Sequence, residues 1–410
     1  MATVHNAKSY DLAIAGAGIA GASLAVSMAR AGYGVILIES ATEFRDRVRG
    51  EFIFPWGVVE ARALGIYDDI IGAGGHQVLY MDMYGGPKRM FHGDLVNDTG
   101  AGVSALTFYH PTLQKNLLYA ALAAGVTVTR GTRVKGLERV DGMLTLRTEG
   151  AVSEEFRCRM LVGADGRGSQ TRALGGFQVG RDPDSNLVAG LLFDDMSVAD
   201  DAAHHWANPN AGLAAILFPQ GRGRVRAYFC HRWDTGYRLS GDKDRDNFVE
   251  GFLKTGAPEE IFSGARTAGP LATFDGAHTW VDHPYKDGVA LIGDAAATGD
   301  PTWGQGLSTS LRDSRLLRDA LVSNEDWEES GHAYAAAHDS FYGINHTFEI
   351  WTSHLLMDPK SRDLRTRAVP KMKQDPFGHL HAFYYGPDRE LDEQARLDFF
   401  VETPDISVPI

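Results

Sequence analysis

Apolar positions in this chain fall into short runs that alternate with stretches of helical period, and glycine-rich turns separate them. Tyr10 to Ala15 is too short an apolar run for a helix and reads as a buried strand. Ala22 to Ala31, rich in Ala, Leu and Met, reads as a helix, and Val35 to Ile38 as a second strand. Residues 58–71 carry a helical pattern, while Gly72 to Thr107 break into glycine-punctuated alternating pieces that predict a β-rich insertion. Leu113, Leu117, Leu118, Ala121 and Leu122 share one face of a helix from His110 to Ala124, which Gly125 ends. Further strands are predicted at 126–129, 133–140, 143–148 and, fully apolar, 160–164. From 180 to about 268 the segments 188–193, 213–218 and 224–230 predict an antiparallel sheet set into the first. Val289 to Ile292 is another buried strand, and Leu307, Leu311, Ser314, Leu317 and Leu321 place a helix after it. Trp327 to Phe341 predicts one more helix, and the remainder, with Trp351, His354, Phe383, Tyr384 and Tyr385, reads as irregular.

Composition narrows the class without changing that outline. At 410 residues with 44% hydrophobic content, the chain can bury one large core or two. A net charge of −13 excludes a nucleic-acid binder, which needs a basic face, and opposes docking on anionic membranes. Two cysteines, Cys158 and Cys230, are too few for a disulfide framework. No run approaches about 18 apolar residues. A cytoplasmic protein without stable membrane insertion is expected.

The chemistry lies where strands end. Gly16-Ala17-Gly18-Ile19-Ala20-Gly21 joins the first strand to the first helix, and Glu39 closes the second strand. Glycines there allow a tight turn and close pyrophosphate approach, the helix amino terminus faces the phosphates, and the acid accepts from ribose hydroxyls. An acid rather than a basic residue favours a free 2′-hydroxyl, as in FAD or NAD. Two more strands deliver acids to the same kind of edge, at Asp165-Gly166 and at Gly293-Asp294. Beyond Asp294, Pro301, Gly304 and Gly306 let the backbone pass close to something flat, and a helix amino terminus follows. The charged run Arg45 to Glu51 reads as a solvated loop, unless an arginine folds back over the phosphates. His204, His205, Trp206, Phe218, Tyr228 and Trp233 could line a ligand cavity or be ordinary sheet and core residues. No third ligand is spaced suggestively around His204-His205, so no metal is expected.

Taken together, Gly16-x-Gly18-x-x-Gly21 with Glu39, Asp165-Gly166 and Gly293-Asp294 with Pro301 resemble the class A flavoprotein monooxygenases of the para-hydroxybenzoate hydroxylase type, over most of residues 8 to 325. The resemblance implies an α/β fold: a Rossmann-like FAD-binding domain (1–75, 101–178 and 269–325), an inserted antiparallel β-sheet substrate domain (76–100 and 179–268) and a helical C-terminal segment (326–410). It implies that Gly16, Gly18, Gly21 and Glu39 hold the ADP half of a non-covalent FAD. Arg49 would lie near the pyrophosphate and flavin, Asp165 in the motif tied to FAD and NAD(P)H, and Asp294 on the ribityl chain. Pro301, Gly304, Gln305, Gly306 and Leu307 would lie beside the flavin ring, with Trp303 toward the substrate. His110 stands where relatives often have Arg or Gln. NADH or NADPH would act as a transient reductant, since no second GxGxxG is present. The implied reaction inserts one oxygen atom of O2 into a small aromatic or unsaturated organic substrate through a flavin C4a-hydroperoxide. His204, His205 and His231 are the candidates for a base. A dehydrogenase or reductase of the same fold and a non-catalytic flavin-binding protein are the alternatives, and the oligomeric state is left open.

Overall fold

A computed structural model of the chain describes residues 8–140, 142–374, 384–388 and 392–400. Five parallel strands form its organising sheet, in the order Val289–Leu291, Glu155–Gly163, Lys8–Ala15, Val35–Glu39, Thr127–Arg130. The first strand is central, so Leu12, Ala13 and Ile14 lie beneath neighbours on both sides and are fully buried. Such a strand needs the continuous apolar run the sequence shows, because no face of it meets water. Helices Ile19–Arg30 and Gly306–Ser323 pack on one side, with Leu24, Met28, Leu311 and Leu317 in the shared core. All five strands run the same way, so their carboxyl ends share one edge. Gly16, Asp165 and the Gly293-Asp294 pair follow their strands there, and Glu39 is the last residue of its own.

A second sheet lies beyond that edge. Its strands are ordered Arg266–Thr267, Asn186–Asp194, Val225–Arg232, Leu213–Pro219, Ala202–Asn208, Tyr80–Gly85 and Lys88–Asp94, with Ala272–Asp275 also paired to Asn186–Asp194. The sheet is antiparallel except at one junction. Ala202–Asn208 runs parallel to Tyr80–Gly85, where chain from two separate insertions meets. Periodicity cannot reveal such a join, because alternation is the same in both directions.

Two helical expectations are corrected. Residues 58–71 are two helices, Pro55–Ala63 and Tyr67–Gly72, separated at Gly65 with φ 72°. The helix expected to end at Phe341 runs from Trp327 to Met357. Gly343, Asn345 and Thr347 are weak helix formers, but Phe348, Trp351, Thr352 and Leu355 continue the buried stripe and tertiary packing carries the helix through. Trp351 and His354 therefore belong to a helix, and Phe383 lies outside the described residues. No helix among the described residues is long and apolar enough to cross a membrane.

Candidate active site

At the end of the cavity nearest the first glycine turn, the chain must leave the first strand and enter a helix within three residues. Gly16 has φ 105°, and a Cβ there would lie 2.3 Å from the Ala164 carbonyl oxygen. A Cβ on Gly21 would lie 2.0 Å from the Gly16 oxygen, so this glycine lets the helix rest on the strand and does not face the cavity. Gly18 has open space before it and lines the wall. The helix carries no acidic residue in its first turn, so its positive end is uncompensated. The buried Glu39 carboxylate accepts the Ala17 N–H at 2.7 Å through one oxygen and the Ala41 N–H at 2.6 Å through the other. Oε1 also accepts from Ser40 Oγ at 3.4 Å, while the oxygen bound to Ala17 keeps a lone pair for a further donor. Asp165 also lies on the wall, but its carboxylate accepts from Ser169 Oγ and from the Gln170 and Thr171 N–H groups at 2.9 and 3.0 Å. It anchors the helix Gln170–Leu174 and with it the turn at Gly166.

The middle of the cavity is formed by Arg49, Asp294 and the turn after it. Arg49 Nη1 stands 3.8 Å from Asp294 Oδ2, with both side chains partly open. Gly293 at φ 58° gives its N–H to the buried Asp313 at 2.7 Å, which fixes the end of the strand. The turn Pro301–Trp303 is capped by Asp300, whose Oδ1 accepts the Thr302 N–H at 2.9 Å, and Gly304 at φ 69° leads into the helix. Pro301, Gly304, Gly306 and Leu307 line the cavity, and a Cβ on Gly306 would meet nothing within 4 Å.

Trp303 and Gln305 do not line it. Trp303 turns into the core, donating from Nε1 to Ser353 Oγ at 2.8 Å, and the buried Gln305 gives its amide to the Trp303 carbonyl at 3.1 Å. Both hold the turn from behind. His110 does reach the wall. Its Nδ1–H donates to the Gly50 carbonyl at 2.9 Å, and burial pushes its pKa down to about 4, so the ring is neutral with Nε2 free to accept.

The far end is walled by the second sheet through Val188, Ile216, Phe218, Tyr228 and Phe274. Of the aromatic and histidine candidates there, Phe218 and Tyr228 reach the cavity; His204, His205, Trp206, His231 and Trp233 lie elsewhere. His204 sits 3.8 Å from Asp82 at the outer strands, and His231 bonds to Thr235 at 2.8 Å.

Sequence reasoning missed the network that holds this end together. Arg45 and Arg47 are exposed, but Asp46 and Glu51 of the run 45–51 turn inward onto Arg226, a fully buried guanidinium. Its Nε lies 2.8 Å from Glu51 and its Nη2 2.8 Å from Asp46. Burial opposes the charge, but Glu51 and then Asp46 outweigh it, so the Arg226 pKa is raised. Tyr228, whose pKa burial drives far up, stays protonated and donates to the Arg49 carbonyl at 2.7 Å. Between these anchors Val48 is held at φ 54°, a left-handed conformation costly for a β-branched residue. It packs where a side chain on Gly190 would stand, 2.2 Å from its Cγ1. The one available signal was the burial-prone alternation of 224–230, with an arginine at an inward position.

These surfaces enclose one cavity of about 540 Å³ that runs from Glu39 to Phe274. Two helix amino ends without acidic first turns, an anchored acid at a strand end and open backbone at Gly18 and Gly306 suit an extended, partly anionic ligand with a flat portion. A sequence family described as FAD binding domain matches residues 9–343. The chain belongs to that family. It falls with the class A flavoprotein monooxygenases. Among its relatives, 6-methylpretetramide 4-monooxygenase of Streptomyces rimosus is 26% identical over 74% of this chain and 73% of that protein. A menaquinone reductase of Mycobacterium tuberculosis is 27% identical over 77% and 78%. The crystal structure of p-nitrophenol 4-monooxygenase PnpA from Pseudomonas putida shares the fold, with a TM-score of 0.78 at 18% identity over 94% of this chain and all of that one.

Proposed function

We propose that this flavoprotein uses NADH or NADPH and O2 to insert one oxygen atom into a small aromatic or otherwise unsaturated substrate at the sheet end of the cavity. The observation that carries the reading is the continuity of the cavity, from an anionic-ligand socket to a wall of Val188, Ile216, Phe218, Tyr228 and Phe274. Bound FAD supplies the redox chemistry, accepting a hydride from the nicotinamide and activating O2. The chain's residues supply position, exclusion of water and fixed charge. Gly16, Gly18 and the helix end behind them would hold the pyrophosphate, and Glu39 would accept from a ribose hydroxyl. Asp294 would hold the ribityl chain, with Arg49 beside it. Pro301 to Leu307 would support the ring, and the Gly306 helix end would favour negative charge on it by about 0.3–1 kcal/mol, up to ~2 where partly buried. Phe218, Ile216 and Phe274 keep water from the reacting atoms.

The wall also restricts the substrate. Glu51 accepts from Arg226 and from the His110 N–H at 2.9 Å, and Asp300 from Thr302 and Asn186, so neither carboxylate is free to act as a base. His110 is the one histidine on the described wall, and it lies beside Gly50 at the middle of the cavity. A substrate with an electron-rich ring or double bond, which needs no protein base, fits best. Relatedness to a menaquinone reductase favours a second reading, electron transfer to a quinone. The test is oxidation of NAD(P)H with candidate aromatics and quinones under isotopically labelled O2. Labelled product is expected; full turnover of a quinone without O2, and no label, would replace the monooxygenase reading by the reductase one.

A further inference from the structure

Away from the cavity, on the outer side of the turn that carries Pro301, three ligand-type side chains converge. Asp182 follows the short strand Gly180–Arg181, and His278 precedes Thr279–Trp280, its antiparallel partner. The Asp182 N–H donates to the His278 carbonyl at 3.1 Å, so the two residues face each other at the open end of the pair. His346 comes down on them from the helix Trp327–Met357, its ring 4.6 Å from that of His278. His346 Nε2 lies 2.6 Å and His278 Nδ1 3.4 Å from Asp182 Oδ2, and the three ligand atoms all lie within 4.8 Å of one another.

We propose that Asp182, His278 and His346 form a site for a divalent cation of the zinc class. Zinc bonds of about 2.0–2.2 Å in tetrahedral geometry put ligand atoms about 3.3 Å apart. The His278–Asp182 separation already matches, and the His346–Asp182 contact must open by less than about 1 Å to match.

An independent feature points the same way. His278 Nε2 lies 2.7 Å from Glu349 Oε2, and both side chains are 5% exposed. Glu349 accepts a hydrogen bond from Nε2–H, so that Nδ1 is the nitrogen that faces the Asp182 carboxylate. A cation bound there would take the place of the Nδ1 proton between the ring and the carboxylate. A buried carboxylate that fixes the ring of a histidine ligand is the usual outer partner in zinc sites. Asp182 and His346 are partly open to solvent, which leaves a route in and room for a water in the fourth position.

The site would act on the fold. The Glu349 oxygen that meets His278 also accepts the Asp300 N–H at 2.8 Å, and a Cβ on Gly299 would stand 2.6 Å from Glu349. A bound ion therefore ties the long C-terminal helix, through Glu349, to the turn on the cavity wall. The inference is independent of the substrate and reductant proposed above.

The test uses tag-free, FAD-loaded full-length protein, stripped with a chelator and titrated with Zn2+ by calorimetry, with metal content read after gel filtration. One zinc per chain is expected. His346→Ala and Asp182→Asn should each weaken it at least about 100-fold, and Glu349→Gln about 10- to 100-fold. The exposed pair His283 and His332, 2.8 Å apart and without a buried outer carboxylate, is the control, and His332→Ala should change nothing. Circular dichroism and flavin content check that variants fold; His346 and Asp182 sit on the open side, so their variants carry the test if His278→Ala fails to fold. Substoichiometric zinc, binding unchanged in His346→Ala, or binding lost in His332→Ala would each overturn the proposal.

Discussion

At its nucleotide end the cavity is walled by backbone and by side chains within a few residues of a strand terminus; at its sheet end the wall depends on residues far apart in the chain. Gly16, Gly18, Glu39, Asp165 and Asp294 are placed by local turns at one edge of a parallel sheet. Arg226, by contrast, reaches Glu51 and Asp46 across 175 and 180 positions, and Tyr228 reaches the Arg49 carbonyl across 179. The first arrangement suits a ligand common to many proteins, since a strand, a glycine turn and a helix reproduce it anywhere. The second ties the loop bearing Arg49 to one particular sheet, and so to whatever that sheet binds.

Four substitutions break or sharpen this contrast. Arg226→Ala leaves Glu51 and Asp46 as uncompensated buried charges, and unfolding stability should fall by about 3–5 kcal/mol. Denaturant unfolding with FAD bound measures it, and a loss below about 1 kcal/mol would mean that the network does not lock the loop. Asp294→Ala should act the other way round, on ligand more than on fold. Losing charge-assisted hydrogen bonds worth roughly 1.5–3 kcal/mol predicts FAD binding about 10- to 150-fold weaker, read by flavin fluorescence titration. An unchanged dissociation constant would remove Asp294 from the site.

The third effect is smaller and depends on pH. Burial in the second sheet holds His205 at about 4, against an ordinary 6.5. The unfolded chain therefore takes up this proton first as pH falls. Its contribution is complete above pH 6.5 and is lost on acidification from 6.5 to 4. His205→Gln should flatten the acid loss over that window by roughly 1–2 kcal/mol, the linkage value discounted for partial solvent access. Equal slopes in wild type and variant, from denaturation at several pH values, would contradict it. The smallest change is expected at Trp303, behind the wall. Trp303→Phe gives up the hydrogen bond to Ser353 and should cost about 1 kcal/mol of stability with FAD affinity unchanged. A weaker FAD would return Trp303 to the cavity.

The sequence alone determined the strands of the Rossmann-like sheet, the glycine turn with its acid, the acids at Asp165 and Asp294, and the close approach from Pro301 to Leu307. Each is a short-range pattern: an apolar run that ends, a residue type that turns the backbone, a charge left at a strand end. Only the tertiary structure decided what faces the cavity. Trp303 and Gln305 lie within two residues of wall positions yet point away, because the capped turn and Gly304 rotate successive side chains to opposite sides. Local spacing fixes proximity along the chain, not direction in space. The run 45–51 looked like a solvated loop because charge prefers water; for Asp46 and Glu51 a partner 180 and 175 positions away outweighs that preference. The helix past Phe341 likewise persists on packing that no window of its own residues contains. Asp182, His278 and His346 became neighbours only when a strand pair and a helix from three parts of the chain met. Contacts of that range cost loop entropy and are repaid by burial shared among distant segments, so they are properties of the assembled fold and not of any one stretch.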